Sequence, residues 1–221
     1  MCGRFALHAP AEALATLFDL PEPPPLAPRY NIAPTQPVGI VRATAEDKSA
    51  REWALVMWGL VPSWAKDPTI GARMINARAE TVAEKPSFRA AYKRRRCLVP
   101  ASGFYEWQKV GKGKQPHYIG MESREPFGIA GLWERWYGPD GSELQTCTLL
   151  TTEPNDLLEP IHNRMPVIIA PEDYAEWLDH SSEDRTYFDA IGHLLRPYPA
   201  DEMVTYRVCS YVSNGGNEGA A

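Results

Sequence analysis

Short apolar and aromatic segments separated by turn residues dominate the middle of this sequence and restrict its fold more than any other feature. Their composition, rich in β-branched and aromatic residues, predicts β-strands. The connections between them are rich in glycine, proline and aspartate, as in "YGPDGS" at 137–142. The order of elements mixes hairpins with scattered helices and does not alternate strands with helices, so we expect an antiparallel sheet. The segments are 96–107, 116–121, 127–137 and 144–152.

Other segments predict additional strands and short helices around this sheet. The strands are "PVGIVRA" at 37–43 and "EWALVMWGL" at 52–60, joined by a hairpin loop over Ala43–Arg51, and a buried "PVIIA" at 166–170. The helices are 10–19, 74–85, 86–95 and 171–180, and the proline-rich stretch 21–28 is an extended connection. We therefore expect an α+β fold, with one domain over residues 1–221. Its core is an antiparallel, barrel-like β-sheet with flanking short helices, and 210–221 form a flexible tail.

Composition and charge limit where the protein works and what it binds. No early apolar run resembles a signal peptide and no apolar stretch could span a bilayer, so we expect a cytoplasmic protein. The four cysteines (Cys2, Cys97, Cys147 and Cys209) lie far apart, which favours reduced thiols over a disulfide framework or a zinc site. The net charge is −5, so any attraction to nucleic acid must be local. The basic run 93–96 is expected to be a solvated helix end.

Cys2, directly behind the initiator methionine, is the first candidate for chemistry. Its side chain is small, so removal of Met1 would leave an α-amine and a thiol on one residue. The reference pKa values of these groups are about 7.7–8.0 and 8.5, so both are partly nucleophilic near neutral pH. A terminal amine and thiol together suit amide hydrolysis by an N-terminal nucleophile. They also suit capture of an aldehyde, in which the amine forms an imine and the thiol closes a thiazolidine ring.

Three further strings contain residues suited to acid–base chemistry or anion binding. In "RMINARAE", Asn76 and Arg78 would share a face if the segment is extended and would diverge on a helix. In "GFYEWQ", strand alternation places Glu106 on the opposite face from both aromatic neighbours, where burial would raise its pKa. In "IHNRMPVII", His162 and Arg164 come just before an apolar strand, a common position for functional residues.

Six strings in this order resemble the SRAP family (SOS response-associated peptidase domain). They are "MCGRF" at 1–5, "RYNIAPTQ" at 29–36, "WGLVPSWAKD" at 58–67, "NARAET" at 76–81, "GFYEW" at 103–107 and "IHNRMPVII" at 161–169. The resemblance extends from Cys2 to the late "YVSNGGN" segment, which is nearly the whole chain.

The resemblance implies that the protein senses abasic sites in single-stranded DNA and bonds to them covalently. Cys2 would attack the sugar aldehyde after Met1 removal. Asn76 would hold the N-terminal residue or the sugar by hydrogen bonds, and Glu106 would transfer protons during imine formation. His162 would assist opening of the deoxyribose ring. The family name also implies a self-processing peptidase capacity.

The resemblance also implies a DNA-binding set that consists of Arg4, Asn31, Trp64, Arg78 and Arg164. The arginines would contact phosphates, and Trp64 would stack near the lesion. Some relatives carry a second aromatic residue after this tryptophan, whereas Ala65 follows here, so any stacking wedge is smaller. No cofactor and no metal are expected. The expected partner is single-stranded DNA with abasic sites, with replication-fork proteins as further candidates and no membrane. We expect a monomer, associated with the nucleoid when it is bound to DNA.

Three other functions remain open from the residues alone. A cysteine peptidase would use Cys2 as nucleophile, His162 as base and Glu106 or Asn76 to orient the base. An amidohydrolase of the glutamine amidotransferase type also begins Cys-Gly, although its downstream Arg-Gly and Asn-Gly strings do not occur in the right place. A non-catalytic nucleic-acid module would use only the arginines and aromatic residues, and Cys2 would be incidental.

Overall fold

The computed structural model describes residues 2–47, 49–180 and 191–219, and within these ranges it contains thirteen β-strands and three short α-helices. The strands are β1 (Phe5–Leu7), β2 (Arg29–Ile32), β3 (Pro37–Ala43), β4 (Arg51–Trp58), β5 (Asn76–Arg78), β6 (Arg96–Ala101), β7 (Gly103–Val110), β8 (Gly113–Met121), β9 (Phe127–Tyr137), β10 (Glu143–Thr152), β11 (Met165–Pro166), β12 (Ile168–Ile169) and β13 (Met203–Arg207). The helices are α1 (Ala11–Phe18), α2 (Arg89–Arg94) and α3 (Tyr174–Leu178).

The strands form two sheets, one of which closes into a barrel. The first sheet has the order β13-β8-β7-β1-β2 and is antiparallel throughout. In the second sheet β10, β4, β3, β6 and β9 pair in that order, and β9 also pairs with β10, which closes a five-stranded barrel. The predicted α+β single domain with a barrel-like core and short helices is therefore confirmed.

Two strand pairings differ from the antiparallel arrangement that the sequence predicts. Both β4 and β5 pair with β10 in parallel. The segment 59–75, which includes a 3₁₀ turn at Pro68–Arg73, loops out after β4 and returns to β10 close to where it left. β5 therefore follows β4 along β10 and runs in the same direction.

The buried apolar side chains form one large cluster between the sheets and inside the barrel. β6 is buried along its whole length, and β9 is buried over its first six residues, because both strands lie in the barrel wall with partners on both sides. Helix α1 buries Leu14 and Phe18, and the Phe18 ring stacks on Tyr174 of α3 with ring centroids 5.2 Å apart. The helices predicted over 10–19 and 171–180 are thus confirmed in place, the second after an initial 3₁₀ turn at Pro171–Asp173.

The helix predicted over 74–85 is wrong. Residues 76–78 form β5 instead, and a 3₁₀ turn follows at Ala79–Thr81. The segment has helix-forming residues, but its backbone pairs with β10, where Asn76 lies opposite Leu149. Ala77 is 1% exposed as a result. Strand pairing and burial of Ala77 outweigh a helix propensity that is weak in any case.

The basic run 93–96 is only partly the solvated helix end that the sequence predicts. Lys93 and Arg94 are exposed in the last turn of α2, as expected. Arg95 instead forms an ion pair with the buried Glu134 at 2.7 Å. Arg96 is 1% exposed, and its guanidinium donates to the carbonyls of Tyr92, Lys93, Trp177 and Asp179. This buried arginine joins β6 to the ends of α2 and α3.

The C-terminal segment makes defined contacts over the part that the structure describes. Residues 210–213 form a 3₁₀ turn, and Glu218 accepts a hydrogen bond from the backbone N–H of Tyr30 at 3.0 Å. The flexible tail predicted over 210–221 therefore packs on β2 as far as residue 219, and residues 220–221 lie outside the described residues. No helix in the described ranges is both long enough and apolar enough to cross a membrane.

A glycine in β7 accommodates an aromatic ring of the next strand, which gives a test of this sheet. A Cβ at Gly103 would lie 2.1 Å from the Tyr118 ring, whereas a Cβ at Gly113 would meet only the Val110 carbonyl at 3.7 Å. We expect Gly103→Ala to lower the free energy of unfolding by about 1–3 kcal/mol, because the ring must move. Gly113→Ala, the matched control, should change it by less than about 0.5 kcal/mol. Urea unfolding measures both, and equal stability of the two variants would contradict the packing described.

Candidate active site

The segment that carries Cys2 is held inside the first sheet. Strand β1 lies between β7 and β2, and the backbone N–H of Tyr105 donates to the carbonyl of Arg4 at 2.9 Å. Phe5 packs edge-on against Trp58 of the barrel, with ring centroids 5.3 Å apart. Cys2 is 0% exposed. The start of the chain is thus fixed between sheet and barrel rather than frayed, as termini usually are.

Asn76 contacts the Cys2 backbone directly. Its Nδ2 donates to the carbonyl oxygen of Cys2 at 2.9 Å. Two contacts set the position of Asn76: β5 pairs with β10, and the Trp58 indole N–H donates to the neighbouring Ile75 carbonyl at 2.9 Å. The Asn76 Oδ1 is buried and has no hydrogen-bond partner among the described residues. The Asn76 side chain can therefore still accept a hydrogen bond at Oδ1 from a group that enters the site.

Glu106 lies on the interior face of β7. Strand alternation places Phe104 and Glu106 on the interior face, whereas Tyr105 belongs to a separate apolar cluster on the other face, as the sequence predicts. The Glu106 residue is 2% exposed. Burial raises the pKa of its carboxyl to about 7, so near neutral pH the group can both donate and accept a proton.

His162 faces Glu106 from the loop between β10 and β11. Its Nε2 lies 3.8 Å from Glu106 Oε2. His162 Nδ1 lies 3.1 Å from the backbone nitrogen of Arg164 and 3.2 Å from its carbonyl oxygen, so these contacts fit a proton on either ring nitrogen. Burial lowers the pKa of His162, which favours the neutral ring at physiological pH. Nε2 is thus the ring nitrogen that faces Glu106.

The Cys2 thiol is in an environment that keeps it protonated. Burial raises its pKa well above that of an exposed thiol, and the negative charge of Glu106 raises it further. Reactive thiolates need the opposite surroundings, with a nearby positive charge or a helix N-terminus. The geometry therefore suits a thiol that reacts as a neutral group in a late step better than a thiolate that attacks first.

The structure brings Arg4 and Asn31 together, in contacts with the C-terminal segment. Arg4 Nη1 donates to Asn31 Oδ1 at 2.8 Å and to the Val212 carbonyl at 2.9 Å. Asn31 is 3% exposed, and its Nδ2 donates to the carbonyls of Asn214 and Asn217. Asn31 is thus placed to orient Arg4 and the C-terminal segment, and not on the surface.

The other three predicted DNA-binding residues differ in their solvent exposure and in the partners that they bind. Trp64 is 59% exposed, on a loop that the Trp136 indole holds by donating to the Ala65 carbonyl at 2.7 Å. Arg78 is exposed at the end of β5, on the strand that carries Asn76. Arg164 instead binds Glu80 through both terminal nitrogens, at 2.6 and 3.0 Å. A phosphate would have to compete with this carboxylate for Arg164.

Two residues near the site were not singled out from the sequence. Glu80 holds Arg164, and no spacing pattern in the sequence points to this pairing. His117 lies directly across from Glu106 on β8, so the two side chains share a face. The alternation of "QPHYIGM" gives the only signal for His117, once its strand is aligned with β7. Among the described residues no cluster of three or more histidine, cysteine or acidic side chains is arranged to hold a metal ion.

Comparisons with known proteins match this chain along nearly its whole length. The family model described as "SOS response associated peptidase (SRAP)" matches residues 1–215. The chain is 43% identical over 221 residues to the abasic site processing protein YoqW of Bacillus subtilis, covering 98% of this chain and 96% of YoqW. It is 42% identical over 224 residues to the abasic site processing protein YoaM of the same organism, with 100% and 96% covered. A crystal structure from Bacteroides thetaiotaomicron superposes with a TM-score of 0.85 at 28% identity, covering 96% and 95%.

The raised pKa of Glu106 predicts a pH-dependent stability that one substitution removes. The folded protein retains a proton up to a pKa of about 7, against an ordinary value of 4.5. The contribution of this proton to the free energy of unfolding is fully present below pH 4.5 and is lost as the pH rises through about 7. Glu106→Gln should therefore become more stable relative to the wild type by up to about 1.4 kcal/mol per pH unit across this window. Urea unfolding at several pH values measures the difference.

The exposed Glu84 supplies the control, because its substitution removes a carboxylate without removing a buried one. Glu84→Gln should follow the wild-type pH dependence. If Glu106→Gln follows it as well, the Glu106 carboxyl is not the group that titrates with a raised pKa.

Proposed function

Because the chain belongs to the SOS response-associated peptidase (SRAP) family, we propose that it recognises abasic sites in single-stranded DNA and bonds to them through Cys2. The observation that carries the proposal is the contact of the Asn76 amide with the Cys2 carbonyl at 2.9 Å, beside a buried Glu106 whose pKa lies near 7. Removal of Met1 is a precondition, because only then does the Cys2 nitrogen become a nucleophilic amine.

The proposed reaction forms two bonds to C1 of the open deoxyribose and releases one water. The Cys2 amine adds to the aldehyde carbon to give a carbinolamine. Protonation of its hydroxyl by Glu106 expels water and leaves an iminium ion, which returns a proton from nitrogen to the Glu106 carboxylate to give the imine. The thiol then adds across the C=N bond, with sulfur on the carbon and the proton on nitrogen, which closes a five-membered thiazolidine. A carboxyl with a pKa near 7 suits the middle step, because efficient acid catalysts titrate near the working pH.

His162 has a separate role in this proposal. An abasic deoxyribose is mostly the closed hemiacetal, and only the small open fraction carries an aldehyde. With its proton on Nε2, neutral His162 would donate a hydrogen bond to a sugar oxygen and favour ring opening. Its Nε2 lies 3.8 Å from Glu106 Oε2, so one oxygen of the sugar would contact both groups. Asn76 Oδ1, which has no partner among the described residues, would accept from the Cys2 amine or a sugar hydroxyl.

The peptidase alternative is less well supported by the same surroundings. A cysteine peptidase needs a thiolate activated by a histidine. Here burial and the charge of Glu106 both raise the pKa of the Cys2 thiol, and the Nε2 of His162 lies on the Glu106 side. A thiol that acts after imine formation does not need to ionise first. The proposal therefore treats any peptidase activity as confined to removal of Met1.

The DNA strand would be held by residues around this centre. Exposed Trp64 would stack beside the gap left by the missing base. Exposing an abasic nucleotide costs little free energy, because no base has to be unstacked. Arg78, next to Asn76, would bind a phosphate close to the lesion. Arg4, held in place by Asn31, would bind a second phosphate on the other side of the N-terminal segment.

Substitution of Cys2 separates covalent capture from the rival functions. With Cys2→Ser, we expect no stable crosslink to abasic single-stranded DNA on a denaturing gel, whereas borohydride should still trap an imine through the remaining amine. Cys209→Ser removes the exposed thiol and should crosslink as the wild type does. Wild-type levels of heat-stable product from Cys2→Ser would exclude the thiazolidine. A wild type without Met1 that gives no product would contradict covalent capture and leave the peptidase, the amidohydrolase and the non-catalytic module.

Two further substitutions should separate the chemical steps. Glu106→Gln keeps the size of the side chain but removes its ability to donate and accept a proton. Single-turnover crosslinking should therefore slow by about 10²–10⁴-fold, with nearly unchanged DNA affinity. His162→Ala should slow capture of abasic DNA but not of a simple aldehyde that needs no ring opening. Melting curves provide the control for both variants. Full-speed crosslinking by a normally folded Glu106→Gln variant would remove Glu106 from the mechanism.

A further inference from the structure

The hairpin formed by β7 and β8 carries three exposed lysines that the reaction above does not use. Lys109 and Lys114 are directly opposite each other on the two strands, and Lys112 lies in the turn after Gly111, whose φ is 58°. All three are exposed, and none has an acidic partner among the described residues. The cluster is unexpected in a chain whose net charge is −5.

The arrangement of these lysines costs the fold stability. Like charges directly opposite each other on antiparallel strands repel and are destabilising. No carboxylate among the described residues forms an ion pair that would offset this repulsion. A local excess of positive charge that the fold does not use is typical of a surface for a polyanion.

The hairpin is attached to the loop that carries His162. Gln108 lies on β7 next to Lys109, and its Nε2 donates to the Pro160 carbonyl at 3.0 Å, two residues before His162. The positive charge of Lys114 contributes to the lowered pKa of His162, after the larger effect of burial. The tip of the hairpin therefore lies beside the loop that carries His162, although Lys109 and Lys114 project from the opposite face of the sheet to Glu106.

The cluster also continues a line of stacking and cationic groups on the outer face of β7. Trp107 precedes Lys109 by two residues, so both side chains lie on this face. The Arg4 guanidinium lies over the Trp107 ring, 5.9 Å from its centroid. Cationic groups interleaved with an aromatic ring are the common features of surfaces that bind single-stranded nucleic acid without sequence preference.

We propose that the tip of the β7–β8 hairpin binds backbone phosphates of the strand that flanks the abasic nucleotide, on one side of the lesion only. The strand would pass from Arg4 along Trp107 to Lys109, Lys112 and Lys114. This inference rests on the proposed function for the identity of the ligand. It adds a binding surface outside the pocket that holds the reacting sugar.

The test measures equilibrium binding of single-stranded oligonucleotides that contain tetrahydrofuran, an abasic analogue with no aldehyde, over a series of KCl concentrations. The variant is Lys109→Gln/Lys114→Gln. We expect weaker binding and a log–log salt dependence flatter by about 0.7 for each phosphate that the variant no longer binds, or about 1.4 for two phosphates. Its melting temperature without DNA should equal or exceed that of the wild type, because repulsion is removed.

The matched control is Arg124→Gln/Arg196→Gln, which removes two exposed positive charges at the opposite end of β8. It should retain the wild-type salt dependence. A second series shortens the oligonucleotide to one nucleotide on the 5′ or the 3′ side. Only one of these truncations should weaken the wild type to the level of the hairpin variant.

Equal salt dependence of the hairpin variant and the wild type would overturn the proposal, as would equal reductions in affinity from the hairpin and control pairs. Because the analogue cannot react, these results do not depend on covalent capture. Failure of the proposed function would instead appear as a wild type that binds the analogue but forms no stable product with an authentic abasic site.

Discussion

Trp58, at the end of β4, fixes the two segments on which the candidate site depends. Its ring packs against Phe5, which follows the Cys2 segment, and its indole N–H donates to the Ile75 carbonyl beside Asn76. One buried side chain of the barrel therefore sets the separation between the start of the chain and β5. The hydrogen bond from Asn76 to the Cys2 carbonyl depends on these contacts together with the pairing of β5 with β10 and of β1 with β7 and β2. A terminus that would otherwise fray becomes part of the interior.

The second constraint is the burial of a carboxyl group at the centre of the site. Strand alternation in β7 places Glu106 inside, and burial raises its pKa to about 7. The same burial, together with the charge of Glu106, raises the pKa of the Cys2 thiol. Glu106 can therefore exchange protons near neutral pH, and the Cys2 thiol stays protonated. Both properties favour imine chemistry over attack by a thiolate, and both follow from desolvation.

The local features of the fold can be predicted from the sequence, and the long-range pairings cannot. The bounds of β3 and β9 match the predicted segments, because alternation and flanking turns define them locally. The sequence predicts a helix where β5 lies, since the partner strand β10 is more than 70 residues away. The Arg164–Glu80 pair joins residues 84 positions apart, so no spacing rule reveals it. For the site, the strand pattern predicts that Glu106 shares a face with Phe104, opposite Tyr105, and the structure adds that this face is buried. The roles of Asn76 and His162 come from the family resemblance, and the structure adds their contacts.

The most direct test of the central claim is the intact mass of the wild-type protein after reaction with a short abasic oligonucleotide, without a reducing agent. We expect an adduct whose mass is that of the protein without Met1 plus that of the oligonucleotide, less one water. Fragmentation should place the link on the N-terminal cysteine, and the adduct should survive denaturation. An adduct seen only after borohydride treatment, a link at another residue, or unreacted protein that has lost Met1 would contradict the thiazolidine at Cys2.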